Sequence, residues 1–132
     1  MLRTYSKDIT VTANTAIPFN VDKFDIGNNI GHQSGSGNIV VRSPGFYEVN
    51  LDISFTTPEA VTEPVLIQLY ANGVAIPDAL INATVASNTT YVDSSFNTII
   101  RANPGVPFQS VILTVVPNAD INIYSAAIGV DQ

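Results

Sequence analysis

From Tyr47 to Phe55 apolar and polar residues alternate without a break. Tyr47, Val49, Leu51, Ile53 and Phe55 take the odd positions; Glu48, Asn50, Asp52 and Ser54 take the even ones. Successive side chains of a strand point to opposite faces, so this segment predicts a ribbon with one core face and one polar face. Burying each of the five apolar side chains is worth about 1.5–3 kcal/mol before entropy is counted.

The same two-residue rhythm recurs along the chain, and no segment sustains the 3.6-residue period of a helix. Strands are predicted over Ile9–Ala13, Thr15–Asn20, Asn38–Arg42, Val65–Tyr70, Val74–Ser87, Thr90–Arg101, Val106–Val116 and Ile121–Val130. Gly27, Asn28, Asn29, Gly31, Gly35 and Gly37 mark the longest expected loop. Ser43-Pro44-Gly45 is a turn of favourable chemistry. Asn72-Gly73 between two strand-like runs is the strongest hairpin signal, and the returning strand is expected to be irregular after Pro77. This spacing predicts an all-β sandwich or jelly roll of eight to ten strands. Residues 9–132 are expected to form that single domain, with residues 1–8 an N-terminal tail in which Arg3, Tyr5 and Lys7 serve for docking.

The last strand breaks the pattern. Ile121, Ile123 and Ala127 fall on one side; Tyr124, Ala126, Ile128 and Val130 fall on the other. A strand exposed on one side should alternate between apolar and polar. Two-sided apolarity therefore predicts a second cover, taken as another copy of the chain, with Tyr124, Ala126, Ile128 and Val130 as the oligomer interface. Val111–Val116 shows a milder form of the same pattern.

The order of motifs resembles the tumour-necrosis-factor-like jelly roll found in complement globular heads and in the heads of phage and bacterial collagen-like proteins. "AIPF", the Gly/Asn loop, "NIVVRSPGFYEVNLDISF", "VLIQLYANGVAI", "VPFQSVILTVV" and "INIYSAAIGV" carry the resemblance over Ile9 to Val130, with Pro44-Gly45-Phe46-Tyr47 its most specific part. The resemblance implies about ten strands and a tight homotrimer whose threefold axis is faced by the sheet holding the first and last strands. No Gly-X-Y stalk precedes the domain, a departure that shifts the expectation towards a small virion component.

Composition narrows the function classes. The chain has 132 residues, ordinary for one domain, and no cysteine, so neither disulfides nor thiolate metal sites arise. Eleven acidic residues against five basic ones give a net charge of −6, which argues against nucleic-acid binding through phosphates. Charged residues make up only 12%, about half the usual share of roughly 25%, so Asn, Thr, Ser or covering partners must supply the polar exterior. No apolar run reaches signal-peptide length or the roughly 20 residues of a membrane span. Synthesis in a host cytoplasm, with no membrane partner, is the expectation.

Catalytic chemistry is thin. The one histidine, His32, lies in the Gly/Asn loop and is read as an exposed imidazole without triad partners. No calcium-loop spacing occurs, although Asp22 and Asp25 beside the Asn-rich loop are weak candidates for Ca²⁺. Gly35-Ser36-Gly37 lacks the Lys of a phosphate loop. Asn82 and Asn88 stand in glycosylation-type triplets, read as chance matches. Tyr5, Tyr70 and Tyr91 with exposed amides are candidates for stacking on sugars. The expectation is a non-enzymatic, cofactor-free virion protein: a trimeric capsid decoration or head-fibre protein whose partners are itself and a major capsid protein. The alternative is a receptor- or cell-surface-glycan-binding fibre tip, or a head domain on a bacterial cell or spore surface.

Overall fold

Alternating burial, rather than propensity alone, defines the strands. In a computed structural model of the chain, which describes residues 1–86 and 88–132, Tyr47, Val49, Leu51, Ile53 and Phe55 are all buried, while Glu48 and Asp52 between them are exposed. They belong to β5 (Gly45–Thr56). The other strands are β1 (Leu2–Val11), β2 (Val21–Asp25), β3 (Ile30–His32), β4 (Ile39–Val41), β6 (Val65–Ala71), β7 (Val74–Ala83), β8 (Val92–Ala102), β9 (Val111–Pro117) and β10 (Ile121–Asp131).

The chain is an all-β jelly-roll sandwich. Two five-stranded antiparallel sheets run β2-β1-β10-β5-β8 and β3-β4-β9-β6-β7. The inner faces meet in one core, with Ile17, Phe19, Ile67, Leu69, Leu113 and Val115 set against the β5 row. Asn72 and Gly73 adopt positive φ of 50° and 79°, the hairpin turn that Asn-Gly favours. The β6–β7 register shifts between Gln68 and Tyr70, opposite the segment that contains Pro77. β7 is a sheet edge, where a proline costs no ladder hydrogen bond.

Several expectations are corrected. Residues 2–8 are no tail: they form most of β1, paired with β10 from Leu2↔Val130 to Val11↔Ile121. Leu2, Thr4 and Ser6 alternate inward and are buried, a short polar-apolar rhythm that hides the strand in a sequence scan. Thr15–Asn20 is not a strand; Ile17 and Phe19 plug the core, with a lone bridge from Phe19 to Ser36. Strand β3 lies inside the segment read as loop, and the end of the expected strand at Ser87 lies outside the described residues.

The largest correction concerns β10. Its register against β5 slips between Ile123 and Ser125, so Tyr124 is an extra residue. β1 skips a residue at the same level: Lys7 pairs with Ser125 and Ile9 with Ile123, leaving Asp8, with φ of 53°, opposite Tyr124. A bulge reverses which side chains face inward. Ile121 and Ile123 on one side of the slip, and Ala126, Ile128 and Val130 on the other, therefore all enter the same core. The two-sided apolarity of this segment is the signature of a bulge, not of two covers. Ala126, Ile128 and Val130 are core residues and cannot form an oligomer interface; of the four expected interface residues only Tyr124 is exposed.

Candidate functional site

The outward face of the β2-β1-β10-β5-β8 sheet collects most of the chain's unusual side chains. Four of the five cations, Arg3, Lys7, Lys23 and Arg101, lie there. One transverse row runs Phe24–Arg3–Gly129–Asn50–Asn97, the next Val21–Tyr5–Ala127–Asp52–Ser95, and a third takes Lys7–Ser125–Ser54–Asp93. Strand β2 carries a bulge that brings Lys23 into the level between Phe24 and Asp22. Arg3, Tyr5, Val21, Lys23, Phe24 and Ala127 together line an open groove of about 620 Å³.

Local chemistry holds this groove in shape. Thr4 Oγ1 donates to Val21 O at 2.9 Å. Ser6 Oγ donates to Pro18 O at 2.6 Å and accepts from Asn20 N at 2.9 Å. These buried hydroxyls fasten the start of β2 to β1. Arg3 crosses over Gly129 and donates from Nη1 to Asn50 Oδ1 at 3.2 Å. Lys7 Nζ stands 5.7 Å from the centre of the Tyr124 ring, within cation–π range. Tyr124 meets Tyr91 edge-to-face at 6.0 Å, and each ring is about half exposed, at 51% and 49%.

Charge is unevenly placed on this sheet. Arg3, Lys7 and Lys23 lie on the β1–β2 side, whose strands also carry Asp8, Asp22 and Asp25, whereas Glu48, Asp52 and Asp93 lie on the β5–β8 side, where Arg101 is the one cation. At the far corner Arg101 lies over the exposed Phe46 ring, with exposed Ile99 nearby in sequence and on the same face.

Arg3, Tyr5 and Lys7 thus share one face of the sheet, on a strand rather than a tail. Val21, Lys23 and Phe24 were missed. The run Val21-Asp22-Lys23-Phe24-Asp25 has no clean alternation, because the bulge at Lys23 scrambles it. The sugar-stacking candidates do not converge. Tyr5 lines the cationic groove and Tyr91 pairs with Tyr124, while Tyr70 lies on the other sheet in a groove of about 150 Å³ with Asn14, Gln68 and Asn118. Two of the amides there are engaged: Gln68 Nε2 donates to Ile76 O at 2.6 Å, and Asn118 Oδ1 accepts from Leu66 N at 2.8 Å.

His32 is not an exposed loop imidazole. Its side chain is wholly buried, with Nδ1 2.6 Å from Asp22 Oδ1 and Nε2 2.8 Å from Ser36 O. The Phe19 ring packs edge-on at 6.5 Å. Asp22 bonds His32, and Asp25 is exposed. Among the described residues no three His, Cys, Asp or Glu side chains come together as a metal site.

No family model matches the sequence, and no curated protein matches it. Solved structures do. The PRD1 vertex protein P5 superposes with a TM-score of 0.62 at 12% identity, over 99% of this chain and 94% of that one. A family 35 carbohydrate-binding module of Abf62 from Cellvibrio japonicus gives 0.44 at 12% identity, over 100% and 96%. Another family 35 module from an environmental isolate gives 0.43 at 16%, over 100% and 93%. At these identities the likeness is one of fold.

Proposed function

We propose that the protein is a non-enzymatic structural component of a virion, a capsid decoration or head-fibre protein, that works as a homotrimer. The observation that carries the reading is the divided outer face of the β2-β1-β10-β5-β8 sheet. Arg3, Lys7 and Lys23 with Tyr5 and Phe24 on one half complement Glu48, Asp52 and Asp93 on the other half of an identical neighbour. Such a face pairs either reciprocally about a twofold axis or head to tail; head-to-tail contacts form a ring where the rotation closes, and the trimer takes that second arrangement.

Two further points support it. Strands β1 and β10 lie side by side in this sheet, the sheet that the tumour-necrosis-factor-like resemblance turns towards a threefold axis. One whole-chain likeness in fold, at 12% identity, is to a protein described as a vertex protein. Mechanism is then geometric: the sandwich is rigid, the seam sets the symmetry, and a loop end contacts a major capsid protein. No catalysis, cofactor or membrane contact is part of this reading.

Charge exchange tests it. Lys23→Glu should dissociate the native assembly. A chain that carries both Lys23→Glu and Asp52→Lys should restore it only if the two halves meet across a seam. Unchanged assembly in Lys23→Glu would remove the seam from this face. A fibre tip that binds a cell-surface glycan is the second reading, favoured by the exposed Tyr91–Tyr124 pair beside Lys7. Binding of the native protein on a glycan array, lost in Tyr124→Ala, would support it over decoration.

A further inference from the structure

Both ring nitrogens of the buried His32 face oxygen atoms that only accept. Ser36 O is a peptide carbonyl, so the 2.8 Å contact requires a hydrogen on Nε2. In a neutral ring that choice leaves Nδ1 bare. Its lone pair would then point at Asp22 Oδ1 from 2.6 Å, and an ionised carboxylate is likewise acceptor-only. Two lone pairs at that distance repel. A bond there needs one proton more, either on the ring beside a carboxylate or on the carboxyl beside a neutral ring.

We infer that the His32–Asp22 pair holds one proton beyond those of a neutral imidazole and an ionised carboxylate, and that this proton latches β2 to the β3–β4 side of the sandwich.

The surroundings fit a latch. Asp22 comes from one sheet and His32 from the other, and the pair spans the edge where β2 approaches β3. Ser36, the second partner, accepts from Phe19 N at 3.2 Å through the same carbonyl, and Gly35 N donates to Phe19 O at 2.8 Å. The Gly/Asn segment is therefore pinned to Phe19 and His32 together. The charged groups around the pair are few. Just after β4, Arg42 lies over Gly31 and lines the same shallow groove as His32. On β2, Lys23 and Asp25 are exposed. On β1 the residue paired with Asp22 is the neutral Thr4. Among the described residues Asp22 is the one carboxylate that bonds the ring.

Strand β2 also supplies Val21, Lys23 and Phe24 to the cationic groove. Loss of the proton loosens the wall of that groove, and only this last step rests on the proposed seam.

Nitrogen-15 and carbon-13 NMR of the intact chain tests the latch. At neutral pH the expected result is hydrogens on both nitrogens of His32, or one on Nε2 together with a protonated Asp22 carboxyl. A bare Nδ1 beside an ionised Asp22 would overturn it. In hydrogen exchange, the Gly35 and Phe19 amides should lose protection on alkalinisation beyond the intrinsic rate change. That excess should vanish in His32→Phe, which fills the space but carries no proton; an unchanged excess in His32→Phe would also overturn the latch. A protonated pair in a protein that stays monomeric at every pH would sustain the latch and sink the seam.

Discussion

Arg3 lies flat across Gly129, its backbone partner on the neighbouring strand, and reaches the strand beyond. A Cβ on Gly129 would stand 2.9 Å from Arg3 Cζ and 2.9 Å from Asn50 Oδ1, inside normal contact. Absence of a side chain at 129 thus gives Arg3 its path to Asn50. Gly129→Ala displaces the mobile end of an arginine, not the backbone. The expected stability loss, read by urea unfolding, is below about 1 kcal/mol, while association through the cationic face weakens.

Ile128 tests the reassignment of β10. It is fully buried in the sandwich core. Ile128→Val should cost about 0.5–1.5 kcal/mol with oligomeric mass unchanged. Ile128→Asp places a charge where nothing can pair with it, so the chain should fail to fold. A folded, monomeric Ile128→Asp protein would restore the seam to that side chain.

How far the sequence disclosed this depends on parity. Along β5 the alternation is unbroken, and the structure follows it residue by residue. Along β1, β2 and β10 a single extra residue in each strand exchanges the inward and outward sets. A bulge leaves no mark in composition, so Ile121–Val130 read as oily on both sides and Arg3–Lys7 read as a tail. His32 was misjudged for a related reason: Asp22 reaches it where the edge strands of the two sheets approach each other, a contact that no local pattern marks, and Ser36 reaches it from the loop after β3.

Tyr47 closes the Pro44-Gly45 turn from inside. Its hydroxyl donates to Ser43 O at 2.8 Å and lies 2.8 Å from Ser43 Oγ, with the side chain fully buried. Tyr47→Phe keeps the packing and strands the carbonyl. The expected loss is about 1–2 kcal/mol in chemical denaturation, with no change in oligomeric state.

The β6–β7 hairpin depends on Gly73, whose φ of 79° is open to glycine but costly for a side chain. Nothing crowds the site, so the cost of Gly73→Ala is conformational alone. About 1 kcal/mol of destabilisation is expected, measured as a shift of the urea midpoint at constant slope. The seam lies on the other sheet and should be unaffected.

Association through the divided face is electrostatic in part and exposed to solvent, so salt must weaken it. Between low salt and roughly 1 M, where the screening length falls to about 3 Å, the self-association constant should drop. Tyr5, Phe24 and Tyr124 keep it from vanishing. A constant that rises with salt would assign cohesion to apolar contact alone.

Sedimentation equilibrium of the native chain at micromolar concentration tests the central claim most directly. The account predicts a single species of three times 14.0 kDa, converted towards one chain by Lys23→Glu. A native protein that sediments as one chain of 14.0 kDa across the concentration range would contradict it.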